Sequence, residues 1–288
     1  MRLVTYGEVD GVRPGALAGD GVVDLSSIAP GIEALIEAGP ATWDRARELA
    51  SSGPRVHPER LRTPLRPASL RDFLAFADHA RAGAGRRGEE LDPAWYRAPV
   101  YYKGNHRSIV GPDADVTWPS FTERLDFELE LACVIGASGR DFDEASAERA
   151  IFGYTVMNDW SARDVQKQEM AMRLGPAKSK DFATSLGPCI VTGDEIDPRA
   201  GLTMTASVNG EVWCTADTSH MHWTFPAMIA HVSAGEDVWP GDVYGSGTPF
   251  GGCGLDQNRW ISPGDVVELE IEGIGVLRNR IIRAASSG

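Results

Sequence analysis

Residues 125–136, LDFELELACVIG, set the tightest limit on what this chain can become. Phe127, Leu129 and Leu131 alternate with Asp126, Glu128 and Glu130, and a period of two is that of a β-strand with one face on the core. Extended geometry sets Glu128 and Glu130 side by side, about 7 Å apart at their Cα atoms. Carboxylates so close repel each other unless water or a cation screens them. Taken alone, the pattern favours a solvated strand face.

The balance of charge narrows the partners. With 41 acidic against 28 basic residues the net charge is −13, which argues against nucleic acid, whose phosphates want a concentrated basic surface. An anionic substrate is still compatible, because a bound divalent cation reverses the local field. The mixture of 42% hydrophobic and 24% charged residues over 288 positions is that of a globular protein with one or two domains. No apolar run reaches the length of a membrane span. The first eleven residues read as strand and turn rather than as a signal peptide. Cys133, Cys189, Cys214 and Cys253 are scattered, which fits free thiols in a cytoplasmic protein and argues against zinc held by cysteines.

Taken in order, residues 1–30 promise short strands around 3–6, 16–18 and 22–25, followed by helices at 32–37 and 43–50. The proline-punctuated stretch 58–67 reads as an extended connector, so a small N-terminal domain is expected over residues 1–66 and a second domain over 67–288. Residues 69–79 carry a helical period, with Ser69 as cap and with Asp72 and His79 two turns apart on one side. The Gly-rich stretch 80–90 reads as a mobile lid or an exposed connection. Residues 99–111 crowd Tyr101, Tyr102, Lys103, Asn105, His106 and Arg107 between a proline and a glycine, a binding edge or an ordinary loop.

Residues 143–149 read as a helix capped by Asp143, and 151–157 as a strand ending in Asn158 and Asp159. Ser161 is the expected cap of a helix to about residue 173, with Asp164 closing a capping box and Arg163, Gln166 and Met170 on one face. Loop is expected over 174–188, with Lys178 and Lys180 in it. Asn209-Gly210 between strand-like runs 202–208 and 211–215 specifies a type I′ hairpin. His220 and His222 have a metal-like spacing but lack a third nearby histidine. The turns of 238–254 suit a ligand loop without a nucleotide-binding pattern. Glu268, Glu270 and Glu272 repeat the acidic alternation and read as a solvated face, and 274–282 closes the chain as a strand.

MNDWSARDVQKQE from Met157 to Glu169, LDFELELA at 125–132 and the turn Ser246-Gly247-Thr248 together resemble the fumarylacetoacetate hydrolase family over about residues 67 to 282. The resemblance implies a mainly β, α+β fold: a rolled mixed sheet with peripheral helices. It implies a divalent metal on Asp72, Glu128, Glu130 and Asp159, Mg²⁺ first, with Ca²⁺ or Mn²⁺ as alternatives. It assigns His79 as general base, Lys180 and Arg163 as cationic partners of the substrate's developing charge, and Gln166 as an oxyanion contact. Tyr102 and Thr248 are then substrate contacts, and Met170 stands where the family has a tyrosine. A homodimer is implied as well.

Two departures matter. No glutamate follows the Gly-Thr turn where the family's histidine finds its partner, near Ser262, so Asp256, Glu89 or Glu90 is left to substitute. The substrate-gripping arginine falls at Gly88, beside Arg86 and Arg87. The implied reaction is hydrolysis of a C–C bond in an acylpyruvate or related 1,3-diketo acid, through an enolate on the metal. The alternative is an isomerase or decarboxylase acting on a keto-diacid of aromatic catabolism, and an inactive relative with a structural cation is the non-enzymatic reading.

Overall fold

In the computed structural model, which describes residues 1–7 and 11–283, the strands form a twelve-stranded mixed sheet, a five-stranded sheet and a two-stranded ribbon. Part of the turn expected after Tyr6 lies outside the described residues. The acidic segment splits into Leu125–Asp126 and Leu129–Ile135. The longer strand lies inside the large sheet, antiparallel to Ile151–Asp159 on one side and to Val243–Gly245 on the other. Its period of two holds: Leu129, Leu131, Cys133 and Ile135 face one apolar cluster, and Ala132 and Val134 face a second. The acidic face is not solvated, however. Glu128 and Glu130 are 6% and 0% exposed, enclosed with Lys180, Arg163 and the Gly247 backbone. Covering both faces is the usual lot of a central strand.

Residues 1–66 supply the strands Arg2–Tyr6, Arg13–Ala18 and Gly21–Asp24, two short strands, and the helices Ile32–Glu37 and Pro40–Ser52. Arg2–Tyr6 pairs with Thr184–Thr192, so the large sheet's hydrogen bonds run between the N-terminal segment and the rest. The five-stranded sheet is built on Thr203–Val208 and Glu211–Asp217. Their turn residues Asn209 and Gly210 take the left-handed φ values, 53° and 79°, that a type I′ turn demands. In Val266–Ile271 the alternation sends Val267, Leu269 and Ile271 inward and leaves Glu270 exposed and Glu268 partly so.

Residues 69–90 depart from expectation. Residues 70–73 form the strand Leu70–Phe73, parallel to Val243–Gly245 and antiparallel to Tyr101–Gly104. All four residues of this strand, Leu-Arg-Asp-Phe, are buried, and a run so short carries no period that separates strand from helix. Ser69 caps nothing; its hydroxyl donates to Asp242 at 2.6 Å. The helix comes later, as Ala77–Arg86, through the stretch expected to be loop. Gly83 and Gly85 cost this helix about 1 kcal/mol each relative to alanine, and buried Ala80 and Ala84 supply the packing that offsets it. Asp72 and His79 therefore sit on different elements.

The helix after Ile151–Asp159 runs Arg163–Ala171. Ser161 does not cap it, because Ser161–Ala162 pairs with Leu125–Asp126 and the Ser161 hydroxyl donates to the Asp159 carbonyl at 3.1 Å. Asp164 closes no capping box; it accepts from the Thr122 hydroxyl and from the Glu123 N–H. Thr184–Thr192 begins inside the span expected to be loop. Asp143 caps Glu144–Arg149 as expected, accepting from the Ser146 N–H.

Candidate active site

Strand ends carry the carboxylates together. Asp72 comes from Leu70–Phe73, Glu130 from Leu129–Ile135, Glu128 from the residue before that strand, and Asp159 from the end of Ile151–Asp159. One carboxylate oxygen of each lies within 4.8 Å of the others, and all four residues are buried. Lys180, 4% exposed, donates to Glu128 Oε2 at 2.6 Å and to Asp159. Arg163 pairs with Glu128 Oε1 at 2.8 Å and with Asp126 Oδ2 at 2.7 Å. The sequence left Asp126 without a role, although it lies two residues before Glu128 on the same alternation.

Five buried carboxylates against two cations leave a deficit of positive charge, which opposes ionisation. Burial opposes ionisation of Glu128, but Lys180 and Arg163 outweigh it and hold this carboxyl below the usual range. Asp72 and Glu130 are pushed well above theirs, first by burial and then by neighbouring carboxylates. Burial also raises Asp159 against the pull of Lys180. The Lys180 ammonium is held above its ordinary range: burial opposes this, but Asp159 and Glu128 outweigh it.

The cluster fits a divalent cation. Glu130 Oε1 and Asp159 Oδ1 are buried and accept no hydrogen bond among the described residues, an expensive arrangement for oxygens without a cation. Gly245 keeps the space open: a Cβ there would meet Asp72 Oδ1 at 2.5 Å and Glu130 Oε2 at 2.8 Å. The Gly247 N–H donates to Asp72 Oδ1 and Glu130 Oε2 at 3.3 and 3.1 Å. At φ 74°, with a Cβ directed at the Phe73 carbonyl, that position also demands glycine. Oxygen-only donors of this kind suit hard cations.

His79, on the helix Ala77–Arg86, is bonded through Nδ1 to Asp256 Oδ2 at 2.9 Å. Asp256 also accepts from Arg86 Nη1 at 2.7 Å and from the Gly251 N–H at 2.8 Å. Burial would raise this carboxyl, but these donors outweigh it and keep it below the usual range. An ionised Asp256 accepts only, so Nδ1 carries the ring proton and Nε2 presents a lone pair. Glu89 does not approach His79; it pairs with Arg87 at 2.8 Å.

The remaining expected residues divide. The Tyr102 hydroxyl donates to Asp159 Oδ2 at 2.7 Å. Gln166 Oε1 accepts from Arg163 at 3.0 Å. Thr248 is buried, with its Oγ1 unpartnered among the described residues. Met170 is 48% exposed near the far end of the helix that starts with Arg163 and stands apart from the cluster. His222 packs on Trp95 and Trp223, with ring centroids 5.0 and 4.9 Å away, rather than joining His220 in a metal site.

The family model described as Fumarylacetoacetate (FAA) hydrolase C-terminal matches residues 69–282. The chain belongs to this family. It is 31% identical over 274 residues to the human mitochondrial oxaloacetate tautomerase FAHD2A, covering 92% of this chain and 85% of that protein. The oxaloacetate tautomerase YisK of Bacillus subtilis (strain 168) is 32% identical over 240 residues, covering 81% and 77%. The structure of the fumarylacetoacetate hydrolase from psychrophilic Exiguobacterium antarcticum matches with a TM-score of 0.82 at 29% identity, covering 99% of this chain and 100% of that one. The fumarylacetoacetate hydrolase match spans the four clustered carboxylates, Lys180, His79 and Asp256, and leaves out residues 1–68. Among the described residues no helix is long and apolar enough to cross a membrane.

Proposed function

We propose that this chain is a divalent-metal-dependent enzyme for an enolisable 2-oxo acid, and that its reaction is keto–enol tautomerisation of a 2-oxo diacid of the oxaloacetate type. The observation that carries the reading is His79, whose Nδ1 is committed to an ionised Asp256 at 2.9 Å and whose Nε2 is therefore free to take and return a proton. Two relatives at 31% and 32% identity are oxaloacetate tautomerases, which supports tautomerisation over cleavage.

Asp72, Glu128, Glu130 and Asp159 are the residues that would hold the cation, with Mg²⁺ or Mn²⁺ favoured by their hard oxygens and Ca²⁺ the alternative. Such an ion polarises the oxygens of a bound 2-oxo acid and acidifies the adjacent C–H. His79 Nε2 removes a proton from the carbon next to the 2-oxo group, and protonation of the oxygen gives the enol; the reverse sequence gives the ketone. No atom is gained or lost. Asp256 and Arg86 hold the imidazole in the tautomer this requires, and Lys180 places positive charge where negative charge develops.

Hydrolysis of an acylpyruvate is the second reading, and the same free Nε2 favours it, since a base so placed can also activate water. The test is to follow enolic oxaloacetate and a panel of acylpyruvates by ultraviolet absorbance and mass spectrometry, with Mg²⁺ or Mn²⁺ and with EDTA. Accelerated enol–ketone conversion at unchanged mass is expected, falling about 10²- to 10⁴-fold in His79→Ala. Two acids with one added water, and no tautomerisation above background, would make hydrolysis correct.

A further inference from the structure

Cys253 has no part in either reaction, yet it lies against the group that moves the proton. It immediately precedes the short helix Gly254–Gln257, which carries Asp256. Its Sγ, a ring nitrogen of His79 and a carboxylate oxygen of Asp256 all lie within 4.8 Å of one another. Cys253 is 0% exposed, and among the described residues its thiol makes no hydrogen bond.

Imidazole nitrogen, thiolate sulfur and carboxylate oxygen form a donor set unlike the all-oxygen cluster next to it. It suits zinc and other thiophilic ions and is poor for Mg²⁺ or Ca²⁺. For the nitrogen and oxygen donors the spacing is nearly right. Zinc bonds of about 2.0–2.1 Å at a tetrahedral angle separate a nitrogen and an oxygen ligand by about 3.3 Å, and His79 Nδ1 stands 2.9 Å from Asp256 Oδ2. An opening of about 0.4 Å admits the ion where the ring proton now lies. The ring proton shifts to Nε2, so the imidazole stays neutral with no lone pair there, and the thiol proton leaves to solvent. Access exists, since the His79 side chain is 12% exposed, and water fills the fourth position.

We propose that His79, Cys253 and Asp256 form a second cation site, specific for zinc-like ions, and that filling it stops the enzyme by withdrawing His79 from proton transfer. Four scattered cysteines make no zinc site between them, but one cysteine beside a histidine and an aspartate does. The inhibition rests on the role proposed for His79; the binding does not.

Cobalt(II) titrated into the full chain in excess Mg²⁺ tests the site directly. The excess Mg²⁺ competes for the oxygen cluster, and a thiolate ligand announces itself by a near-ultraviolet sulfur-to-cobalt charge-transfer band. That band is expected in the wild type and in Cys214→Ser, absent from Cys253→Ser and Cys253→Ala, and abolished by equimolar Zn²⁺. Zinc should then suppress turnover of the wild type and spare both Cys253 variants, whose basal rate is unchanged. No band in the wild type overturns the site, as does a band that survives in a Cys253 variant with native near-ultraviolet circular dichroism. A band that behaves as expected while zinc leaves turnover intact keeps the site and overturns the role given to His79.

Discussion

His79 is held through Nδ1 by Asp256, and Asp256 owes its place to contacts that begin at Asp126. Asp126 accepts from the N–H groups of Gly254 and Leu255 at 2.8 and 3.0 Å, anchoring the first turn of the helix that presents Asp256. Its other charged contact is Arg163, which grips Glu128 at 2.8 Å. The His79–Asp256 side of the site is thus braced against the carboxylate side through one aspartate. Asp256→Asn tests the tautomer argument, because its amide can donate to Nδ1 and drive the ring proton to Nε2. We expect kcat to fall roughly 10²-fold or more with little change in KM, while metal still raises the melting temperature. Steady-state kinetics beside a thermal melt checks both halves, and an unchanged kcat would remove Asp256 from the mechanism. The sequence offered Asp256 only as one of three acidic candidates. What distinguishes it, the Arg86 contact across 170 positions of sequence, is invisible until the chain folds.

At the scale of elements, local chemistry was legible wherever a segment satisfies itself. The Asn209-Gly210 hairpin, the Asp143 cap and the helix Ile32–Glu37 form where the residues predict them. The errors fall where distant segments decide. Leu70–Phe73 is a strand because Val243–Gly245 and Tyr101–Gly104 flank it, and Ser161 loses its capping role to pairing with Asp126. The acidic alternation was legible, but the burial of its acidic side was not, since Arg163, Lys180 and Gly247, all far along the chain, enclose it. Those early strands carry their own tie. Asp24 accepts from the Tyr6 hydroxyl at 2.7 Å, from Arg13 at 3.2 Å and from the Ser26 N–H at 2.7 Å. Burial would raise its carboxyl, but these donors bring it down to about 2 from an ordinary 3.8. A lowered folded-state value stabilises above the unfolded value and is lost as pH falls through the folded one, so the window runs from about pH 4 to 2. Asp24→Asn should cost about 1–2 kcal/mol near pH 6, a figure discounted because the pair is partly solvated. That difference should shrink across the window in urea melts at stepped pH; a constant gap would mean the charge contributes nothing.

For the molecule as a whole, the same four carboxylates are a liability without a cation and a source of stability with one. They collect acidic charge in the interior of a chain already at −13, and burial among like groups pushes Asp72 and Glu130 well above their usual range. A divalent ion that binds the folded chain and not the unfolded one competes with protons for these carboxylates, so its affinity falls as pH is lowered. Bound at a hundred times its Kd, it adds about 2.7 kcal/mol, which for a chain of this length raises the melting temperature by about 4–5 °C. EDTA should return the melt to its starting point. Calorimetric titration in two buffers of different ionisation heat should show proton release on binding. Gly245→Ala isolates the site from any general effect of salt, because its Cβ would press on Asp72 Oδ1 and Glu130 Oε2 in the space the cation needs. The variant should fold and yet lose the metal-dependent rise. If Mg²⁺ or Mn²⁺ stabilised Gly245→Ala as well as the wild type, the ion would be binding elsewhere, and the cluster would have to be read as a set of carboxylates neutralised by Lys180, Arg163 and their own protons alone.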